Sequence, residues 1–494
     1  MADRSGGPSE RMTESAEREG TFGILPLLRP ERVWGFADFT WVNIGLAIAT
    51  WAFLTGGATA AFVGAKAGIA AMIIGNAIGI TIVCLATCVP SGKYGVEQYT
   101  FLRSILGRNA TRGLVFSFLL LVEMGWTAVL AIMFARATAN VSNEALNTSI
   151  GPTSFVVTIF ALVAIVMSWL VLSRGPVTIR FLNRIVAPGL AIITLGMLAL
   201  IFTDVSWSQL TSAKPLSPFG DKRLDFMIAV EFNVATGLSW WPVMGGLARL
   251  TQTPRAAYWP NMIGIFAATV VAQVVGLFAA LSLGDADPTV WMIPLGGTAL
   301  GIIALLFIAF ANVTSIVAII YATCLALRQA GGKALARVRW QVLSGAFFVL
   351  PAILTFFPGA LYDNFLKFVV WAAAIIAPMT GIMVADYFLL RKRRIDMRAL
   401  YSDDPDGPYG FFKHWNPASV VAVVVGFFVY LVMINQQTLS SREAFEYVTA
   451  SLPSLLAGAV VHLVLTKAIV QPLGWGGYGE RARRRAAPAV EARG

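Results

Sequence analysis

The chain has 494 residues, enough for two or three soluble domains, yet 57% of them are hydrophobic, 13% are charged and the mean hydropathy is +0.72. A soluble protein carries roughly a quarter charged residues, so soluble enzymes, secreted modules and nucleic-acid binders are excluded and most of this surface must face lipid. The net charge of +11 acquires meaning only once its location is known.

Residues 1–26 are polar, without the apolar core of a cleavable signal peptide, and read as a disordered cytoplasmic tail. A spanning helix needs about 20 mostly apolar residues. Twelve such segments follow, near 37–62, 67–89, 112–137, 153–173, 180–203, 226–247, 257–283, 294–327, 339–358, 364–390, 417–436 and 449–470. The first holds Gly45 and Gly56-Gly57, where an interruption is expected. Cys84 and Cys88 share a face of the second and Cys324 lies in the eighth, with no further ligand nearby, so all three read as small core residues. The third carries Glu123 and Trp126, and the sixth Glu231. The sixth also contains Gly237-Leu238-Ser239-Trp240-Trp241-Pro242, where proline removes an amide donor and should break the helix. A basic tail, 471–494, closes the chain.

With the N-terminus inside, 30 of the 37 Lys and Arg residues fall on the inner side, so the positive-inside rule sets both termini in the cytoplasm. The basic excess is topogenic. The outer loop 204–225, with Pro215, Pro218 and Gly220, divides spans 1–5 (27–203) from spans 6–10 (226–391), and 392–470 adds a loop and two more spans. A repeat of five is necessarily inverted, which is the plan of many secondary transporters, whose sites lie at interrupted helices.

An acid at the bilayer centre costs about 2.5–3.5 kcal/mol on insertion scales, so Glu123 and Glu231 should face the bundle interior. Their roles are substrate binding or proton coupling; the plainer role is an acid satisfied by a neighbouring helix. Glu123 and Trp126, three residues apart, lie about 60° apart around one helix. Trp126 and Trp240 are candidates to stack on a flat ring, or else belt tryptophans. In Ala311-Asn312-Val313-Thr314-Ser315, the two hydroxyls suit a sodium ion, or else bond back to their own helix. No P-loop pattern is present, which argues against an ATP-driven pump.

The run Ala377-Pro378-Met379-Thr380-Gly381-Ile382-Met383-Val384-Ala385-Asp386-Tyr387, continuing through Arg391 to Asp396 and Leu400-Tyr401, resembles the tenth-span signature of the nucleobase–cation symporters, the purine–cytosine permease and hydantoin permease group. Arg249 to Ala257 resembles the loop after that family's sixth span, with Gly246 standing where the family has Asp. The resemblance runs from about Leu27 to Val470. It implies an all-α membrane protein of the LeuT type, with twelve transmembrane helices, a five-plus-five inverted repeat and two C-terminal helices. It also implies cation symport by alternating access. The family's stacking residues fall on Trp126 and on Trp240, or on Trp241 if the break shifts the register. Its sodium site falls near the carbonyls of Asn43 and Leu46 and on Ala311, Thr314 and Ser315. Its substrate-binding amides are missing: Ala47 and Leu130 stand where it has Gln, and Ile316 to Ile320 contains no amide. Glu123 and Asn312 are the candidate replacements, and Thr127 and Gly237 complete the expected substrate set.

The expectation is therefore a monomeric inner-membrane symporter for a nucleobase-like heterocycle (purine, pyrimidine, or a hydantoin- or ureide-related ring). It needs no cofactor, no catalytic residue and no nucleic acid, and is coupled to sodium or, through Glu123 or Glu231, to protons. The alternatives are a symporter for a vitamin precursor or amino acid, a channel, and a membrane receptor that does not transport.

Overall fold

The computed structural model describes residues 25–174 and 176–478 and is almost wholly helical. Residues 1–24 and 479–494 of the two expected tails lie outside the described residues. Apolar runs facing lipid leave backbone groups no partner outside their own segment, so helices form. In chain order the main helices are α1 (Phe36–Ala47), α2 (Thr50–Phe62), α3 (Ala65–Tyr94), α4 (Gln98–Leu106), α5 (Arg108–Leu146), α6 (Phe155–Leu172) and α7 (Pro176–Asp204). There follow α8 (Lys222–Leu238), α9 (Trp241–Ala248), α10 (Pro254–Leu283), α11 (Pro288–Ala336), α12 (Trp340–Leu354), α13 (Phe365–Leu390), α14 (Pro417–Met433) and α15 (Ser451–Val470). Among the described residues, eight helices are long and apolar enough to cross a membrane, and α1 with α2 makes a ninth if counted as one bent span. Helices α12 and α14 are apolar but shorter. Helix α11 is interrupted at Gly297 and Gly332, both at positive φ.

Besides α11, two spans break among the described residues, and they break differently. Helix α8 ends at Leu238 and α9 restarts at Trp241 with Pro242 in its first turn, where the missing amide costs nothing. This is the break that the sequence predicts. The first span bends by 53° between α1 and α2, at Ile48 and Ala49. That is neither Gly45 nor Gly56-Gly57, so the expected position is corrected. Those glycines serve close packing: a Cβ on Gly45 would strike Asn183, and one on Gly56 would strike the Gln273 backbone.

The helices sort into two groups. One contains α1, α2, α3, α8, α9 and α10, with α3 against α8 and α2 against α10. At both crossings glycines let the backbones approach: Gly75 and Gly79 of α3 meet α8, Gly79 touching Gly237, and Gly276 of α10 lies on the Phe53 backbone. Asn76 donates to Asn233 (3.1 Å) and Gln273 (2.8 Å), tying α3, α8 and α10 together through buried amides. The other group contains α5, α6, α11 and α12, with α5 packed along α11. Helix α7 touches both groups, and α13, α14 and α15 pack together, α13 also against α8.

At the end of α13, buried Asp386 is held by Arg391 (2.5 Å), His462 (3.1 Å) and Tyr478. Arg391 also donates to the carbonyls of Ser104 and Gly476. The family-like signature thus ends in a polar knot joining α4, α13, α15 and the segment after α15. The three cysteines are buried free thiols, as the core reading expected.

Candidate functional site

The two helix groups meet across a cavity. One wall is Trp51 from α2, Ser239 and Trp240 from the break between α8 and α9, and Val243 from α9; the other is Glu123, Trp126 and Leu130 from α5 with Ser315 and Ile319 from α11. The cavity gives the centre of a water-sized sphere about 20 Å³, room for a water or two. A heterocycle enters only if the walls part.

The breaks deliver the tryptophans. Trp240 occupies the interruption itself, while Trp51 lies in the first turn of α2, just past the bend. Loose backbone groups at the breaks are satisfied by side chains. Gln98 of α4 donates to the Trp241 carbonyl and accepts from the Gly245 amide, both at 2.7 Å, bridging the start of α9. The Trp51 indole donates to the Leu46 carbonyl (3.3 Å). Beside it, the side chains of Asn312 and Thr50 are joined, the amide donating to the hydroxyl (2.8 Å). Trp51 meets Trp240 at 5.7 Å and 70° and Trp126 at 6.4 Å and 86°, so the indoles stand edge to face. Phe365 packs behind Trp126 at 5.2 Å.

The polar inventory is short. Glu123 is 1% exposed, and no described residue hydrogen-bonds to its carboxyl. The Trp126 indole N–H and the Ser315 hydroxyl are buried without partners. Ser239 donates to the Thr236 carbonyl (2.6 Å). No Lys, Arg or His lines the cavity.

Of the residues expected from sequence, Trp126, Trp240 and Glu123 come together here, and Ser315, expected at the cation, joins them. The choice between Trp240 and Trp241 is resolved geometrically, since Trp241 points away to Met383. Gly237 lies instead at the crossing with Gly79, and the Thr127 hydroxyl bonds back to the Glu123 carbonyl (2.7 Å). Asn312 is one layer away, against Thr50. At the expected cation position, Thr314 donates to the Ala311 carbonyl (2.9 Å), Leu46 accepts from Trp51, and the Asn43 side chain bonds Asn261 (3.0 Å).

Glu231 lies elsewhere. Its carboxylate accepts from Tyr430 (2.7 Å), the Ser451 hydroxyl (2.7 Å) and the amides of Ala450 (3.0 Å) and Ser451 (3.1 Å), capping the start of α15. The sequence reading omitted Trp51, Ser239, Val243 and Ile319. Only the Ser-Trp-Trp-Pro run held a signal for Ser239; Trp51 follows a bend that no glycine or proline marks.

Comparison with known proteins agrees with this architecture. Mhp1, a nucleobase-cation-symport-1 family transporter seen in a closed conformation with bromovinylhydantoin bound, superposes with a TM-score of 0.75 at 17% identity, covering 93% of this chain and 98% of that one. A Na+-coupled sialic acid symporter in a substrate-bound outward-open state gives 0.57 at 13% identity, over 90% and 92% of the two chains. The fold is therefore the LeuT-type fold of these transporters. The purine-uracil permease NCS1 of Arabidopsis thaliana is 25% identical over 437 residues, 82% of this chain and 69% of its relative. A family described as a permease for cytosine/purines, uracil, thiamine and allantoin matches residues 26–452. With its broken helices, the cavity they frame and a match over most of its length, the chain belongs to this permease family and is a multi-pass membrane transporter, not an enzyme.

Proposed function

We propose that the protein imports a nucleobase-like heterocycle by cation symport, alternating access across the cavity between its two helix groups. In this reading all twelve apolar segments cross the inner membrane, spans 1–5 and 6–10 form an inverted repeat with two added helices, and both termini are cytoplasmic. The observation that carries it is the set of three indoles, Trp51, Trp126 and Trp240, converging where two helices break. Flat rings gain from aromatic walls, by about 0.5–1.5 kcal/mol per pair beyond area burial. The permease family and the hydantoin-bound neighbour point to the same class of cargo.

Sodium enters as co-substrate. The carbonyls of Leu46 and Ala311 and the hydroxyls of Thr314 and Ser315 are hard oxygen donors that suit it, and the Ser315 hydroxyl has no protein partner. A second reading, proton coupling, is favoured by the unpartnered carboxyl of Glu123 and disfavoured for Glu231, whose oxygens are all engaged.

The test is counterflow in proteoliposomes preloaded with unlabelled ligand, using labelled uracil, cytosine, hypoxanthine, hydantoin, allantoin and thiamine. We expect saturable exchange of at least one, weakened tenfold or more by Trp126→Ala. Absence of exchange for all six refutes the reading.

A further inference from the structure

Helix α4 contributes no side chain to the cavity lining, yet it grips the helix that begins at Trp240. The Trp241 carbonyl and the Gly245 amide are four residues apart, the spacing at which helical backbone groups bond each other. The buried side-chain amide of Gln98 bonds both, at 2.7 Å each, so these two groups have one partner in Gln98 and a second in each other. Gln98 fits there because residue 245 is glycine: a Cβ would stand 2.5 Å from that of Gln98. Tyr99 adds to the grip, its hydroxyl donating to the Pro242 carbonyl (3.2 Å) and its ring meeting Trp241 edge to face at 5.8 Å. The far end of α4 is fixed to other elements. The Ile105 carbonyl accepts from Asn416 (2.6 Å) and Ser419 (2.7 Å) at the start of α14, the Ser104 carbonyl accepts from Arg391, and Arg103 donates to the Gln329 carbonyl of α11.

We propose that Gln98 is a positioning residue for the cargo site: its amide clasps the first turn of α9 and so fixes Trp240, the residue just before that turn, in the cavity wall. The inference rests on the reading of this cavity as the cargo site. A side-chain amide offers one carbonyl and one N–H edge, so it meets a backbone carbonyl and a backbone amide as a peptide group would. A side chain that bonds into a helical turn tilts the turn. The clasp therefore sets the direction in which α9 leaves the break, and with it the 70° stance of Trp240 against Trp51. Because the two backbone groups can turn to each other, loss of Gln98 strands no buried donor; what the clasp contributes is placement. Anchorage of α4 to α11, α13 and α14 gives that placement a fixed reference outside the broken span.

The test puts a reporter on Trp240 itself. Full-length protein carrying 5-fluorotryptophan is observed by fluorine NMR in lipid nanodiscs at pH 5.5. The Trp240 resonance is identified by its loss in Trp240→Phe, and that of Trp169, on α6 outside the cavity lining, by its loss in Trp169→Phe. Gln98→Met keeps the side chain's length and removes both bonds, and since the turn can close on itself the variant should fold. We expect it to shift or split the Trp240 resonance and to leave that of Trp169 in place. Gln98→Glu, whose protonated carboxyl has the donor and acceptor of the amide, should restore the wild-type position. In counterflow with the six labelled compounds named above, Gln98→Met should raise the KM of those that wild type exchanges by roughly three- to tenfold, the contribution of one aromatic pair, with the maximal rate held within about twofold. A Trp240 resonance unmoved in Gln98→Met, an equal shift of Trp169, no restoration by Gln98→Glu, or an unchanged KM each overturns the inference and leaves the permease reading intact. Absence of exchange by wild type overturns that reading and, with it, the role at cargo.

Discussion

Glu97 sits just outside the spanning helices, buried at the start of α4, where its carboxylate accepts the amides of Tyr99 (2.8 Å) and Thr100 (3.1 Å). Burial pushes its pKa up to about 7, against the pull of the Thr100 amide, Arg249, the Tyr99 amide and Arg103. The folded protein thus holds a proton that the unfolded chain releases above its ordinary value of 4.5. Its stabilising contribution is complete below about pH 4.5 and is lost as pH rises toward 7, by roughly 3 kcal/mol over the window. Thermal unfolding in nanodiscs should show a midpoint falling between pH 5 and 7.5. Glu97→Gln, which keeps an acceptor for the cap, should flatten that dependence. A wild-type midpoint that does not move would show that the carboxyl is solvated and this account wrong.

At the scale of the element, Glu231 does for α15 what a capping side chain does for a soluble helix: it supplies acceptors to amides that a first turn leaves free. Glu231→Gln turns an amide nitrogen toward donors, so it should cost about 1–3 kcal/mol of stability, read as a lower unfolding midpoint. The pH profile of transport should stay unchanged, whereas its loss would make Glu231 a proton carrier. This residue also marks how far sequence reaches. Glu231 reads as an acid in an apolar run, and nothing local reveals Tyr430, Ala450 and Ser451, some 200 positions away. The helices themselves are legible, because hydropathy over 20 residues is a local quantity. So is the α8/α9 break, because proline acts on its own turn. The α1/α2 bend is not, since no glycine or proline marks it and Asn312, which bonds the Thr50 hydroxyl just past it, comes from 262 positions away. Gly45 and Gly56 looked like hinges but are places where another helix comes close.

For the whole molecule, coupling is a statement about two ligands sharing one conformational equilibrium. If sodium and cargo both favour the same closure of the two helix groups, each must raise the other's affinity by the same factor. Titrating cargo at several sodium concentrations, and sodium at several cargo concentrations, should return equal factors. Thr314→Ala combined with Ser315→Ala should reduce both to one in protein that still folds. Uptake indifferent to sodium and driven by a proton gradient would instead assign the coupling to Glu123. The three indoles carry a last consequence. Because Trp51 touches Trp240 on its own wall and Trp126 across the seam, they form an aromatic plug in the cavity between the two helix groups. A hydrated ion gains nothing from displacing ring against ring, whereas an aromatic cargo replaces those contacts with its own. Tightness to leak and choice of cargo are then one property of the same three side chains, and a substitution that widens the choice should also make the membrane leakier.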